Sequence, residues 1–194
     1  MKDCDFLVVG GGPAGTSFAA ATAPKASVVV VEEHPEVGLP VQCTGLVAPR
    51  VVEMASAFDT VLNRLHGAYF HFPGDQVVEV RSREVKAMVV NRASFDRSRA
   101  ERALDQGAVI ERGTRFVSAD FGKWATVRCK AGGQTVEYRA RMVVGADGYK
   151  SNVASCAGLG PPRDRVRGLQ VDLRHRMEDQ DMLSVFLGRK VAPG

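Results

Sequence analysis

Gly10, Gly12 and Gly15 interrupt the stretch FLVVGGGPAGTSFAAATA, residues 6–23, with the spacing G-x-G-x-x-G. An apolar, β-branched run precedes them and an alanine-rich helix former follows, so the glycines fall at a strand-to-helix turn. There, Gly10 permits the tight turn, Gly12 lets a phosphate approach bare backbone, and Gly15 lets helix and strand pack closely. The freed N–H groups and the positive end of the helix dipole then face an anion. Glu32 ends the next β-branched run about 20 residues on, where a carboxylate accepts hydrogen bonds from ribose hydroxyls and repels a 2′-phosphate. The combination points to a dinucleotide, FAD or NAD in preference to NADP. A flexible turn in a generic α/β unit is the plainer reading of the glycines alone. Glu33 is the neighbouring candidate, but successive strand residues face opposite ways and only one can meet the sugar; Glu32 is favoured.

A second constellation is VVGADG, residues 143–148, where a buried strand again ends in small residues and one acid. Asp147 and Gly148 either serve the same ligand or simply make a β-turn. Cys4, Cys43, Cys129 and Cys156 lie far apart, with no C-x-x-C pair or His/Cys cluster, so neither a zinc site nor a disulfide framework is indicated and no metal is expected. Reduced thiols in a cytoplasmic protein fit this usage.

These residues need elements to hold them. The runs at 6–9 and 28–31, apolar on both faces, suit parallel strands in a covered sheet, with a helix from Ala14 to about Thr22 between them, closed by Pro24. The following segment, EEHPEVGLPVQCTGLVAPR, is rich in Gly and Pro and reads as a long extended loop. Residues 50–58 read as a helix, 68–72 and 76–82 as strands around a turn at Pro73–Asp75, and 85–91 as another strand. A helix is expected from Phe95 to Gln106, with Asp96, Ala100, Ala103 and Leu104 on one face and its arginines solvated. Strands follow at 108–111 and 114–120. Residues 124–148 read as two antiparallel strands joined at Gly132 and Gly133, running on into a buried strand Met142–Val144. Ser151–Cys156 reads as a short helix, and 166–176 and 181–188 alternate like strands with one wet face.

The composition is that of a soluble globular protein: 194 residues, 45% hydrophobic and 25% charged. No stretch approaches the ~20 apolar residues needed to span a bilayer. The net charge of +4 comes from arginines in the second half. No aromatic residues interleave with them as a stacking platform requires, so no nucleic-acid partner is expected.

VVGGGPAG, VVVVEEHPEVGLPVQCTG, VNRASFDRSRAERALDQGA and VVGADGYKSNVA stand in the order found in the FAD-dependent geranylgeranyl reductase family, which the chain resembles along essentially its whole length. The segment PEVGLPVQCTG is the most specific part of the likeness. The resemblance implies an α/β (α+β overall) fold: a Rossmann-like FAD-binding βαβ domain with antiparallel sheet insertions, similar to p-hydroxybenzoate hydroxylase and glutathione reductase. It also implies a discontinuous, incomplete FAD-binding domain over 1–66 and 91–162, and part of a sheet-rich substrate domain over 67–90 and 163–194. Gly10, Gly12, Pro13, Ala14 and Gly15 would then lie on the FAD diphosphate, Glu32 (with Glu33 beside it) on the adenosine ribose, and Cys43, Thr44 and Gly45 along the flavin. Arg92 would reach the cofactor as a fixed cation, Phe116 would mark where main chain meets adenine or else be a core residue, and Asp147 with Gly148 would lie by the diphosphate or ribityl chain. Cys43 would be a proton donor or a packing residue beside the flavin.

The implied activity is hydride transfer from reduced flavin to a carbon–carbon double bond of an isoprenoid lipid, with electrons from NAD(P)H or ferredoxin and transient contact with a membrane surface. Two other readings are an FAD-dependent aromatic or alkene monooxygenase and a non-catalytic dinucleotide-binding interaction module. The family's further flavin motif, a strand followed by Gly-Asp-Ala, is absent; PGDQ at 73–76 lies in a hairpin turn with no helix behind it. The expectation is therefore an N-terminal portion of a flavoenzyme of about twice this length.

Overall fold

The computed structural model describes residues 1–162, 164, 166, 168–175 and 177–189. They form two compact units, one of Met1–Gln42 with Ala93–Arg167, the other of Cys43–Arg92 with Gly168–Gly194.

The first unit is built on β1 (Lys2–Val9), helix α1 (Pro13–Thr22) and β2 (Val28–Val31), the expected βαβ opening. Because successive side chains in a strand alternate, β1 and β2 feed two cores. Leu7, Val9 and Val31 join Val127, Cys129 and Tyr138 on one face; Val8, Val28 and Val30 meet Ala19, Ala20 and Ala103 on the other. This two-sided burial is what the continuous apolar runs required.

In the second unit the chain forms β3 (Leu46–Val47), α2 (Pro49–Ala55), a 3-10 turn (Phe58–Thr60), β4 (Val61–Leu65), β5 (Gly67–Phe72), β6 (Gln76–Arg81) and β7 (Ala87–Val90). Helix α3 (Arg92–Asp105) then leads into the rest of the first unit: β8 (Val109–Glu111), β9 (Thr114–Asp120), β10 (Ala125–Ala131), β11 (Gln134–Gly145) and α4 (Asn152–Cys156). The first unit's sheet has the order β8-β2-β1-β11-β10-β9. Its β1, β2, β8 and β11 pair in parallel, while β9 and β10 join in antiparallel. Gly132 and Gly133 both adopt positive φ, 56° and 82°, as a two-residue β10–β11 hairpin demands.

The second unit holds two three-stranded sheets, β3-β7-β4 and β12-β5-β6, where β12 is Met182–Phe186. The register places Ala68 and Phe70 of β5 beside Val80 and Val78 of β6 and Leu183 and Val185 of β12, giving one apolar face; Tyr69, Glu79 and Ser184 share the opposite, mixed face with His71, Val77 and Phe186. An apolar cavity of about 370 Å³ is lined by Leu65, Ala68, Phe70, Val80 and Leu183, among others.

Several expectations are corrected. Residues 43–66 group with the second unit, because β3 and β4 pair with β7. The sequence pattern announces neither strand: one is two residues long and the other carries Asn63 and Arg64 at its centre. The helix expected over 50–58 stops at Ala55, where Ser56 turns left-handed with φ 52°. On α3, Leu104 is half exposed, while Arg99 is buried instead of solvated. Met142 is exposed on a strand expected to be buried.

No strand forms over 166 and 168–175, where Val166, Leu169 and Leu173 are largely exposed; alternation makes a strand only when a neighbour supplies the ladder's hydrogen bonds. Residues 167 and 176 of that expected strand lie outside the described residues, as do 163, 165 and 190–194.

Candidate functional site

The first unit brings both sequence constellations to the carboxyl ends of β1 and β11, the edge of a parallel sheet where ligands bind in open α/β folds. Gly10 N–H donates to the Val31 carbonyl at 2.9 Å and Ala146 N–H to the Val9 carbonyl at 2.8 Å, so the glycine turn and the GADG turn lie side by side.

The three fingerprint glycines have distinct steric tasks. Gly10 has φ 105°, and a Cβ on it would lie 2.4 Å from the Ala146 carbonyl oxygen. At Gly15 a Cβ would lie 2.0 Å from the Gly10 carbonyl oxygen and 3.2 Å from a Val8 methyl. Both are therefore needed for the chain to pack on itself. A Cβ at Gly12 would meet nothing within 4 Å. The space it would enter is open, and α1 starts there with no side chain capping it. Pro13 opens the helix where its missing N–H costs nothing, and Ala14 is exposed beside it. This is the cradle a diphosphate requires: bare backbone, a helix start with unclaimed N–H groups and no side chain in the way.

Glu32 is buried, 9% exposed, and its carboxylate turns toward this cradle: Oε2 accepts a hydrogen bond from Gly11 N–H at 2.6 Å. Glu33, the next residue along, has its side chain 55% exposed. Two contributors escaped sequence reasoning. Gly11 occupies an unspecified position of the motif, yet a Cβ there would lie 3.0 Å from Glu32 Oε2. His34 also binds Glu32, through both its backbone N–H and its ring. The middle glycine of the GGG run is the available signal for Gly11; the part of His34 depends on how the chain turns after β2.

Asp147 serves its own loop. Its carboxylate accepts from the Ser151 hydroxyl at 2.6 Å and from the N–H groups of Asn152 and Val153 at 2.7 and 3.1 Å, holding the start of α4. What this turn offers outward is Gly148, whose φ is 75° and around whose missing Cβ there is nothing within 4 Å. Phe116 is a core residue, 5% exposed and packed with Val127, Cys129 and Tyr138.

Within the second unit, Gly45 has φ 78°; a Cβ there would lie 2.3 Å from the Val90 carbonyl oxygen and 3.5 Å from the Arg92 stem. The unit thus sets Gly45 beside Arg92. Cys43 is half-buried and Thr44 exposed. All four cysteines are free thiols. Burial, aided by Asp5, Asp3 and Glu111, pushes the Cys4 thiol up to about 11, and burial with Glu111 does the same to Cys129. Both are packing residues, inert at neutral pH. Among the described residues no cluster of His, Cys, Asp and Glu is arranged to hold a metal ion.

Residues 3–177 match the family model described as FAD binding domain. The digeranylgeranylglycerophospholipid reductase of Methanosarcina acetivorans is 32% identical over 100% of this chain and 51% of its own length, and that of Methanothrix thermoacetophila is 33% identical over 98% and 52%. This chain therefore spans about half the length of these relatives. Among solved structures, a geranylgeranyl bacteriochlorophyll reductase-like protein from Thermoplasma acidophilum superimposes with a TM-score of 0.81, at 24% identity, over 97% of this chain and 51% of that one. Aklavinone-11 hydroxylase, solved in a ternary complex with FAD and aklavinone, gives a TM-score of 0.65 at 21% identity over 81% of this chain and 35% of its own. The fold is thus that of the p-hydroxybenzoate hydroxylase type.

Proposed function

The chain belongs to the FAD-binding domain family, and from that membership we propose that it acts as an FAD-dependent oxidoreductase on carbon–carbon double bonds of geranylgeranyl or other isoprenoid lipid chains. The observation that carries the substrate class is the identity of 32–33%, sustained over essentially the whole chain, to proteins named digeranylgeranylglycerophospholipid reductase. The apolar cavity of the second unit supports it, since an aliphatic chain is held by apolar walls with few polar groups.

The residues present fit FAD. Gly12, Pro13, Ala14 and the start of α1 would receive the diphosphate, and Glu32 the adenosine ribose. Gly148 would add main chain beside the diphosphate or ribityl chain, with Asp147 keeping that turn in shape. Arg92 would meet a cofactor phosphate as a fixed cation, with Cys43, Thr44 and Gly45 along the flavin. When bound and reduced, FAD supplies a hydride to one alkene carbon, and the other carbon then needs a proton. Cys43 is the side chain proposed to deliver that proton or to orient a water that does. The electron donor is NAD(P)H or ferredoxin, and the setting is cytoplasmic with transient contact at a membrane surface. No helix among the described residues is long and apolar enough to cross a membrane.

The test is anaerobic incubation of the FAD-loaded, chemically reduced protein with a geranylgeranyl lipid. Mass spectrometry should show a gain of two hydrogens for each double bond reduced. The likeness in fold to aklavinone-11 hydroxylase supports a second reading, in which oxygen enters the product only in air; an added oxygen atom would select it. A folded protein that binds FAD but transforms neither kind of substrate would instead favour a dinucleotide-binding interaction module.

A further inference from the structure

The Glu32 carboxylate already holds three donors. Oε2 accepts from Gly11 N–H, while Oε1 accepts from His34 N–H at 2.9 Å and lies 2.6 Å from His34 Nδ1. A carboxylate only accepts, so the proton in that last contact sits on Nδ1. The ring is not there by accident of a mobile side chain, because its backbone is pinned: Gly113 N–H donates to the His34 carbonyl at 3.0 Å, and Thr114 N–H to the Glu32 carbonyl at 2.8 Å. On the far side of the ring, Nε2 stands 4.0 Å from Glu33 Oε1.

A carboxylate offers about four lone-pair directions. Three are occupied, both of those on Oε1 among them, which leaves a single open lobe on Oε2. We infer that His34 is a positioning residue for cofactor binding: it fixes the Glu32 carboxylate toward the glycine cradle and restricts it to one ribose hydroxyl instead of two. The reasoning rests on the FAD reading above. His34 acts through Glu32, since the bond between them orients a buried charge that would otherwise be free to rotate away from Gly11.

The test is a double-mutant cycle on the full chain, reading FAD affinity by equilibrium dialysis. His34→Ala should weaken FAD about tenfold, the scale of one charge-assisted hydrogen bond. His34→Asn, whose side-chain amide can place an N–H near the position of Nδ1, should stay within about threefold of the parent. In a Glu32→Gln background, His34→Ala should change affinity by less than about twofold. Equal losses in both backgrounds would overturn the inference, as would no loss in His34→Ala or an Asn variant as weak as the Ala variant. A parent chain that takes up no FAD would show before any variant is made, and would overturn the FAD reading on which the inference stands. The His34 side chain is 37% exposed, so these variants leave the core packing intact.

Discussion

Valine runs occur in both units and meet opposite fates. In β2, Val28, Val30 and Val31 are at most 2% exposed, because the strand lies between β1 and β8 and each of its faces joins a core. In β6, Val77, Val78 and Val80 are 49–54% exposed on a strand with one neighbour, β5. The same residue type is structural in one place and surface in the other. The first unit closes its packing and leaves open space at particular backbone atoms; the second leaves an apolar sheet face and a cavity. Bare backbone facing open space belongs to one part of the molecule, and exposed apolar sheet to another.

The contrast can be broken most severely at the glycines. Gly15→Ala places a methyl where the Gly10 carbonyl already lies and should destabilise by ~3 kcal/mol or more, seen as a lowered urea midpoint. Gly12→Val starts from a Cβ in open space, so it should cost no more than ~1 kcal/mol, the scale of a less suitable helix N-cap, while FAD affinity falls by about a hundredfold because the side chain fills the phosphate's place. A Gly12 variant that unfolded would deny the division between fold and ligand glycines.

Next in size is the valine comparison. Val30→Ala should cost about 2 kcal/mol, whereas Val80→Thr should stay within ~0.5 kcal/mol. Ala68→Trp, aimed into the second unit's cavity, should raise the KM for lipid about tenfold with FAD affinity unchanged.

The smallest effect is a pH dependence. The buried Cys4 and Cys129 thiols have folded-state pKa values near 11, raised from an ordinary 9.0, so the folded chain keeps protons that the unfolded chain releases. Their contribution is complete below about pH 9 and is lost as pH rises toward 11. Melting temperature should fall across that window, and Cys129→Ala should make the fall shallower.

Legibility in the sequence followed how local the cause was. The βαβ opening could be read because its valines and glycines announce both period and turn within 26 residues, 6–31. The β10–β11 hairpin announced itself by Gly132 and Gly133. The strands β3 and β4 could not be read, since they owe their existence to β7 and not to their own patterns. Arg99 was hidden for the same reason: its burial is decided by what packs on α3. At the site, Gly10, Gly12, Gly15 and Glu32 were visible as a spaced motif. Gly11 and His34 were not, because their part is defined by one carboxylate that folding brings to them.

The turn from Gly10 to Gly15, with Glu32 beside it, is proposed to hold FAD. The most direct test is to load the full chain with FAD, remove the excess, and record the absorbance spectrum and the flavin released on denaturation. The expected result is a yellow protein with one FAD per chain, and loss of the flavin in both Gly12→Val and Glu32→Gln. A folded chain that stays colourless at saturating FAD, or a Gly12→Val variant that retains flavin as well as the parent, would contradict it.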